Sequence, residues 1–166
     1  WKDQDLIPPL PQEVVVKLLE ASSLCFLSTF SDDHPHLSLM NFTYFQAEEI
    51  IIFSTRRDTK KFDLVERGHN VAILVHDFPS VKADSAEGAE SAASPEKSSR
   101  TFSVTLNGVA EIALSGPSAE KYRAIHLANN PNSAQFIVGE NIAIITVRIQ
   151  SARICNIQDK VTLWEV

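Results

Sequence analysis

The chain breaks into short apolar runs separated by polar turns, and the runs follow two periods. "LPQEVVVKLLEAS" (Leu10 to Ser22) places Val14, Leu18 and Ala21 on one stripe, with Val15 and Leu19 beside it, which predicts an amphipathic helix. "LCFLSTF" predicts a strand, "SDDHPH" a turn and "LSLMNFTYF" a second strand. After the turn "AEE", the β-branched and aromatic run "IIIFST" predicts a third. "DTKKFDLVERG" predicts a short helix: Asp58 or Thr59 can cap its start, Phe62 and Val65 share a face, and Gly68 can end it. "NVAILVHDF" is a fourth strand and "TFSVTLNGVAEIAL" a long fifth, in which Phe102, Val104 and Leu106 alternate and Gly108 allows a bulge or a close approach. "SGPSAEKYRAIHLANN" is a second amphipathic helix with Pro117 in its first turn, and "IAIITVRI", "ARICNI" and "VTLWEV" supply further strands.

From Pro79 to Arg100 the composition shifts to Ala, Ser, Glu and Lys with no apolar period. That composition predicts an exposed, mobile insertion within a single domain spanning residues 1–166. Strands joined mostly by hairpins, without strict βα alternation, predict a mainly β fold with some helix (α+β), built on a closed or partly open antiparallel barrel.

With 44% hydrophobic residues in 166, the chain can fill a core of its own. It begins at Trp1 rather than Met, so the natural N-terminus is expected to lie elsewhere. No apolar run reaches about 18 residues, so no membrane-spanning helix is expected. The formal charge of -6 opposes bulk nucleic-acid binding. Cys25 and Cys155, both in strand-like runs, read as buried free thiols without disulfide or zinc spacing, which points to a reducing compartment. His34 and His36 could share a metal but lack an evident third ligand, so no metal site is expected. No G-x-G-x-x-G, Walker lysine motif or G-x-S-x-G elbow is present, and no side chain stands out as a catalytic acid or base. Trp164 reads as a core or dimer contact.

Against the acidic background, "FSTRRDTKKF" stands out: Arg56, Arg57, Lys60 and Lys61 face only Asp58. Lys60 and Lys61 fall in the first turn of the predicted helix, where cations oppose the macrodipole. An anion at that end removes the conflict. Free N–H groups, the Thr55 and Thr59 hydroxyls and the lysines could together hold a phosphate. The alternative is a solvated basic turn.

The order helix, strand, "HPHLSLMNF", hairpin, "IIIFSTRRDTKKF", "NVAILVHDF", "SVTLNGVAEI" and helix resembles the FMN-binding split barrels of the pyridoxamine 5'-phosphate oxidase-like superfamily. The resemblance implies an antiparallel split β-barrel with short flanking helices, FMN as cofactor, a cytoplasmic (or also nuclear) location and a homodimer with the flavin at the subunit interface. It implies no nucleic-acid or membrane partner. Ser54 and Thr55 fall where the third strand touches ribityl and phosphate; Thr59, Lys60 and Lys61 match the phosphate clamp. Ser38, Leu39, Met40 and Asn41 match the strand whose backbone faces the isoalloxazine. Ser103 falls at a flavin-contacting glutamine, and Cys155 at a tryptophan from the second subunit. The oxidase's substrate-phosphate grip is mostly missing: Ser133 falls at its serine, but its arginine reads as Asn130 and its tyrosine as Ala124, and the C-terminal Arg-x-His has no counterpart in "QDKVTLWEV". The resemblance thus implies an FMN-dependent oxidoreductase of unassigned substrate, inefficient towards pyridoxamine phosphate. The alternatives are a non-catalytic FMN-binding module and a protein-interaction module on the same scaffold.

Overall fold

The computed structural model describes residues 10–79 and 101–165. Except for Pro79, the insertion expected at residues 79–100 therefore lies outside the described residues. A short helix α1 (Gln12–Val14) continues into a π-helical turn, Val15–Leu19. Then come β1 (Leu24–Thr29), β2 (His36–Asn41), β3 (Thr43–Phe45), β4 (Ile50–Arg56), α2 (Lys60–Arg67) and β5 (Asn70–His76). After the insertion follow β6 (Phe102–Ile112), α3 (Pro117–Asn129), β7 (Ile142–Asn156) and β8 (Val161–Glu165). A 3-10 segment, Pro131–Phe136, joins α3 to β7.

All pairings are antiparallel, in the order β2-β1-β5-β6-β7-β4-β3, with β8 on β7. The sheet curls into a half-barrel, and the split-barrel expectation holds. The inner face is alternate residues of each strand: Leu27, Ile73, Leu106 and Ile145 are fully buried, and Leu18 of the N-terminal helical segment belongs to the same core. In β4 the apolar run does not alternate because both faces are covered. Ile51 and Phe53 enter the main core, while Ile50 and Ile52 pack with Ile144 beneath Tyr122 and Ile125 of α3. No helix among the described residues is long and apolar enough to cross a membrane.

Four expectations need correction. The N-terminal helix is shorter than Leu10 to Ser22 and changes to π geometry, with Glu20 N–H bonded to the Val15 carbonyl. The run Leu37 to Phe45 is two strands, because at the buried Phe42 the chain leaves β1 and turns to pair with β4. "IAIITVRI" and "ARICNI" are one 15-residue strand, long enough to pair first with β4 and then with β8. Cys25 is buried, but Cys155 is half-exposed, because it alternates with the inward Ile154 and lies on the outer face. Gly108 lies opposite a bulge in β7, where Gln150 is the extra residue between the partners of Asn107 and Gly108, and it also meets a close approach: a Cβ there would lie 2.5 Å from the Arg148 carbonyl oxygen.

Candidate functional site

A cleft of about 280 Å3 lies between β2 and the end of β4. One wall is β2, an edge strand whose outer side has no hydrogen-bonded neighbour strand among the described residues. The opposite wall is the end of β4 with the turn into α2, and the Pro131–Phe136 segment closes one side. Leu39, Met40 and Asn41 line it from β2, Ser54, Thr55 and Arg56 from β4, Thr59 and Lys61 from the turn and helix, and Phe136 and Ile137 from the 3-10 segment and its end.

The basic end is built by helix capping. Thr59 is the N-cap of α2: its Oγ1 accepts from Phe62 N–H at 3.2 Å and donates to the Arg56 carbonyl at 2.8 Å. Thr55 Oγ1 lies 3.1 Å from Thr59 Oγ1 and can re-aim its proton towards a ligand. The N–H groups of Lys60 and Lys61 have no acceptor within the helix. The Lys61 ammonium reaches 2.9 Å from Met40 Sδ, and desolvation lowers its pKa below the ordinary lysine value. Burial pushes the nearby Cys25 thiol up to about 12, with Lys61 pulling in the opposite direction. At the rim, Arg56 forms a two-pronged pair with Asp58, at 3.0 and 2.5 Å.

Of the ten residues expected at the site, the cleft brings together seven: Leu39, Met40, Asn41, Ser54, Thr55, Thr59 and Lys61. Lys60 is exposed and outside the lining, because successive helical residues point about 100° apart and Lys61 takes the inward direction. Ser38 alternates with the lining Leu39 and places its Oγ 3.3 Å from His36 Nδ1. Ser103 pairs with Cys155 on β6 and β7, outside this lining. Two of the seven also brace the cleft. Ser54 donates to the Phe136 carbonyl at 2.7 Å, and Asn41 to Ser133 Oγ at 3.1 Å, so both tether the 3-10 segment. Sequence reasoning missed Arg56 as a lining residue, and with it Phe136 and Ile137. The available signal for the last two was "QFIVG", an apolar run too short for a strand.

Residues 11–156 match the family model described as pyridoxamine 5'-phosphate oxidase. The chain belongs to this family. A pyridoxamine 5'-phosphate oxidase homolog of Schizosaccharomyces pombe is 33% identical over 158 residues, covering 86% of this chain and 83% of that protein. One from Saccharomyces cerevisiae is 27% identical over 183 residues, covering 88% and 90%. Among solved structures, a heme binding protein from Mycobacterium smegmatis superposes with a TM-score of 0.72 at 16% identity, over 96% of this chain but only 60% of that one. An FAD-binding protein from Mesorhizobium loti gives 0.63 at 14%, over 90% and 96%. At such identities these two structures speak for the fold alone.

The residues expected at the oxidase's substrate-phosphate positions have other partners here. Asn130 is 6% exposed and donates to Thr43 Oγ1 at 3.0 Å and to the His126 carbonyl at 3.1 Å, bracing the end of α3. Ala124 is exposed. Three cations could have replaced the missing arginine. Arg123 is bonded to the Ile137 and Ile142 carbonyls, Lys121 to Glu48, and Arg148 lies 3.8 Å from Glu111.

Proposed function

We propose that the chain is an FMN-binding flavoprotein, a homodimer with the flavin at the subunit interface, and an oxidoreductase whose substrate is not efficiently pyridoxamine or pyridoxine 5'-phosphate. The observation behind the cofactor reading is Lys61. Its ammonium is half-buried in the cleft beside the Thr55–Thr59 hydroxyl pair, with no carboxylate paired to it among the described residues. A phosphate dianion supplies that charge. The open edge of β2 offers backbone donors and acceptors to a flat heterocycle. The lining fits heme less well: it contains no His, Cys or Tyr to ligate iron, and the Met40 sulfur faces Lys61. A bound flavin supplies hydride chemistry at N5. The chain's own part is to grip the phosphate and present the ring.

The dimer reading rests on the outer face of the sheet. Leu39, Phe26, Leu74, Thr105, Arg153 and Leu163 form one continuous cross-strand row. Leu37 beside it is 67% exposed and Leu163 69%. Four of the six side chains in the row are apolar, and exposed apolar side chains grouped on one face favour cover by a partner. Leu39 belongs both to this row and to the cleft lining, so a second copy on the face also covers the cleft mouth.

Low turnover of the phosphorylated vitamers follows from the neutral, buried Asn130 and from the cations held elsewhere. Positioning by a remote phosphate grip is part of the barrier reduction. Among the described residues, the only titratable side chains in the lining are Arg56 and Lys61, which favours chemistry by the flavin itself, or a non-catalytic FMN module as second reading. The test is an absorption spectrum of the purified, FMN-loaded protein during anaerobic addition of a reduced nicotinamide cofactor and, separately, of pyridoxine 5'-phosphate. Bleaching by the nicotinamide supports the oxidoreductase; rapid bleaching by the vitamer contradicts the substrate assignment; bleaching by neither favours the module.

A further inference from the structure

We propose that Asp58 is an internal stand-in for the cofactor phosphate, holding the Arg56 guanidinium until the phosphate takes it over. The inference rests on the FMN reading and adds a residue pair that regulates that site. Arg56 Nε and Nη2 donate to the two carboxylate oxygens of Asp58 at 3.0 and 2.5 Å. This planar two-pronged arrangement is also the one a guanidinium makes with two phosphate oxygens. Arg56 lines the cleft that holds Thr55, Thr59 and Lys61.

The pair is built to exchange. Both side chains are exposed, at 63% and 52%, so the ion pair is screened and weak. The backbone beneath is fixed: the Arg56 carbonyl accepts from Thr59 N–H and Oγ1, and Arg57 N–H donates to the Asn141 carbonyl. Arg56 can therefore change partners by rotating its side chain alone. Asp58 also places a negative charge just before α2, where the helix dipole favours an anion. Without cofactor its charge only lies near that end, since both its oxygens are taken by Arg56; with cofactor it competes with the phosphate for Arg56. A dianion outbids a monoanion for the same fork.

The experiment is an FMN titration of the wild type, Asp58→Asn, Arg56→Ala and the double variant. Asn keeps the size of the side chain, and both positions are exposed. The expected result is about fivefold tighter FMN binding in D58N and weaker binding in R56A, with D58N giving no tightening in the R56A background. Equal tightening in both backgrounds would mean a plain charge effect and overturn the exchange. So would unchanged or weaker binding in D58N. Those results leave FMN binding intact, whereas a wild type that fails to bind FMN overturns both the exchange and the cofactor reading.

Discussion

The Lys61 ammonium donates to the Met40 sulfur across 2.9 Å. A thioether is a weak, uncharged acceptor, so this cation has lost part of its hydration without gaining an opposite charge among the described residues. Its lowered pKa has that cause. The arrangement is poor for a resting surface lysine and suitable for one that receives an anion.

Lys61 and Lys60 should therefore separate in binding. Lys61→Ala removes a half-buried charge-assisted contact worth about 1.5–3 kcal/mol and should weaken FMN by about tenfold to a hundredfold. Lys60→Ala removes an exposed, screened charge and should cost less than about threefold. Fluorescence titration giving equal losses would contradict the inward role of Lys61. Phosphate binding raises the Lys61 pKa from its lowered value, so affinity should fall as pH rises through that value, earlier than for an ordinary lysine.

The outer face gives a second outcome. Leu74 lies mid-row between Phe26 and Thr105. Leu74→Asp should leave the fold intact, because the side chain points away from the core, and should shift the protein from dimer to monomer. Light scattering at micromolar concentration decides this. A wild type already monomeric with FMN present would contradict the dimer.

His126 sets a pH dependence. It is fully buried, its Nδ1 lies 2.8 Å from Thr43 Oγ1, and its Nε2 has no partner among the described residues. Burial lowers its pKa from 6.5 to about 4. Below pH 6.5 the unfolded chain takes up a proton that the folded chain refuses. The stability present above 6.5 is thus lost as pH falls towards 4, by at most about 3 kcal/mol. Denaturant melts of wild type and His126→Gln should diverge over this window, the variant showing the flatter curve. Parallel curves would show that other groups govern acid unfolding.

Much of this fold was legible in residue patterns. The apolar runs in "NVAILVHDF" and "TFSVTLN" marked β5 and β6, and Gly68 with either Asp58 or Thr59 marked the ends of α2, because those signals are local; the structure selects Thr59 as the cap. The break at Phe42 was not legible: it comes from a change of partner strand, which no local period records. The site divides the same way. Thr55, Thr59 and Lys61 share one strand-turn-helix and could be read together. The roles of Ser54 and Asn41 as tethers depend on Phe136 and Ser133, more than eighty residues away in sequence. Asn130 read only as a missing arginine, and its bracing of α3 emerged from its buried partners.

Flavin binding through the terminal phosphate underlies the whole of the proposed function. Parallel titrations of the protein with FMN and with riboflavin, which differ only in that phosphate, test it most directly. The clamp of Lys61, Thr55, Thr59 and the α2 N-terminus predicts FMN binding at least about a hundredfold tighter than riboflavin, with the difference shrinking in Lys61→Ala. Equal affinities for the two flavins, or no binding of either, would contradict it.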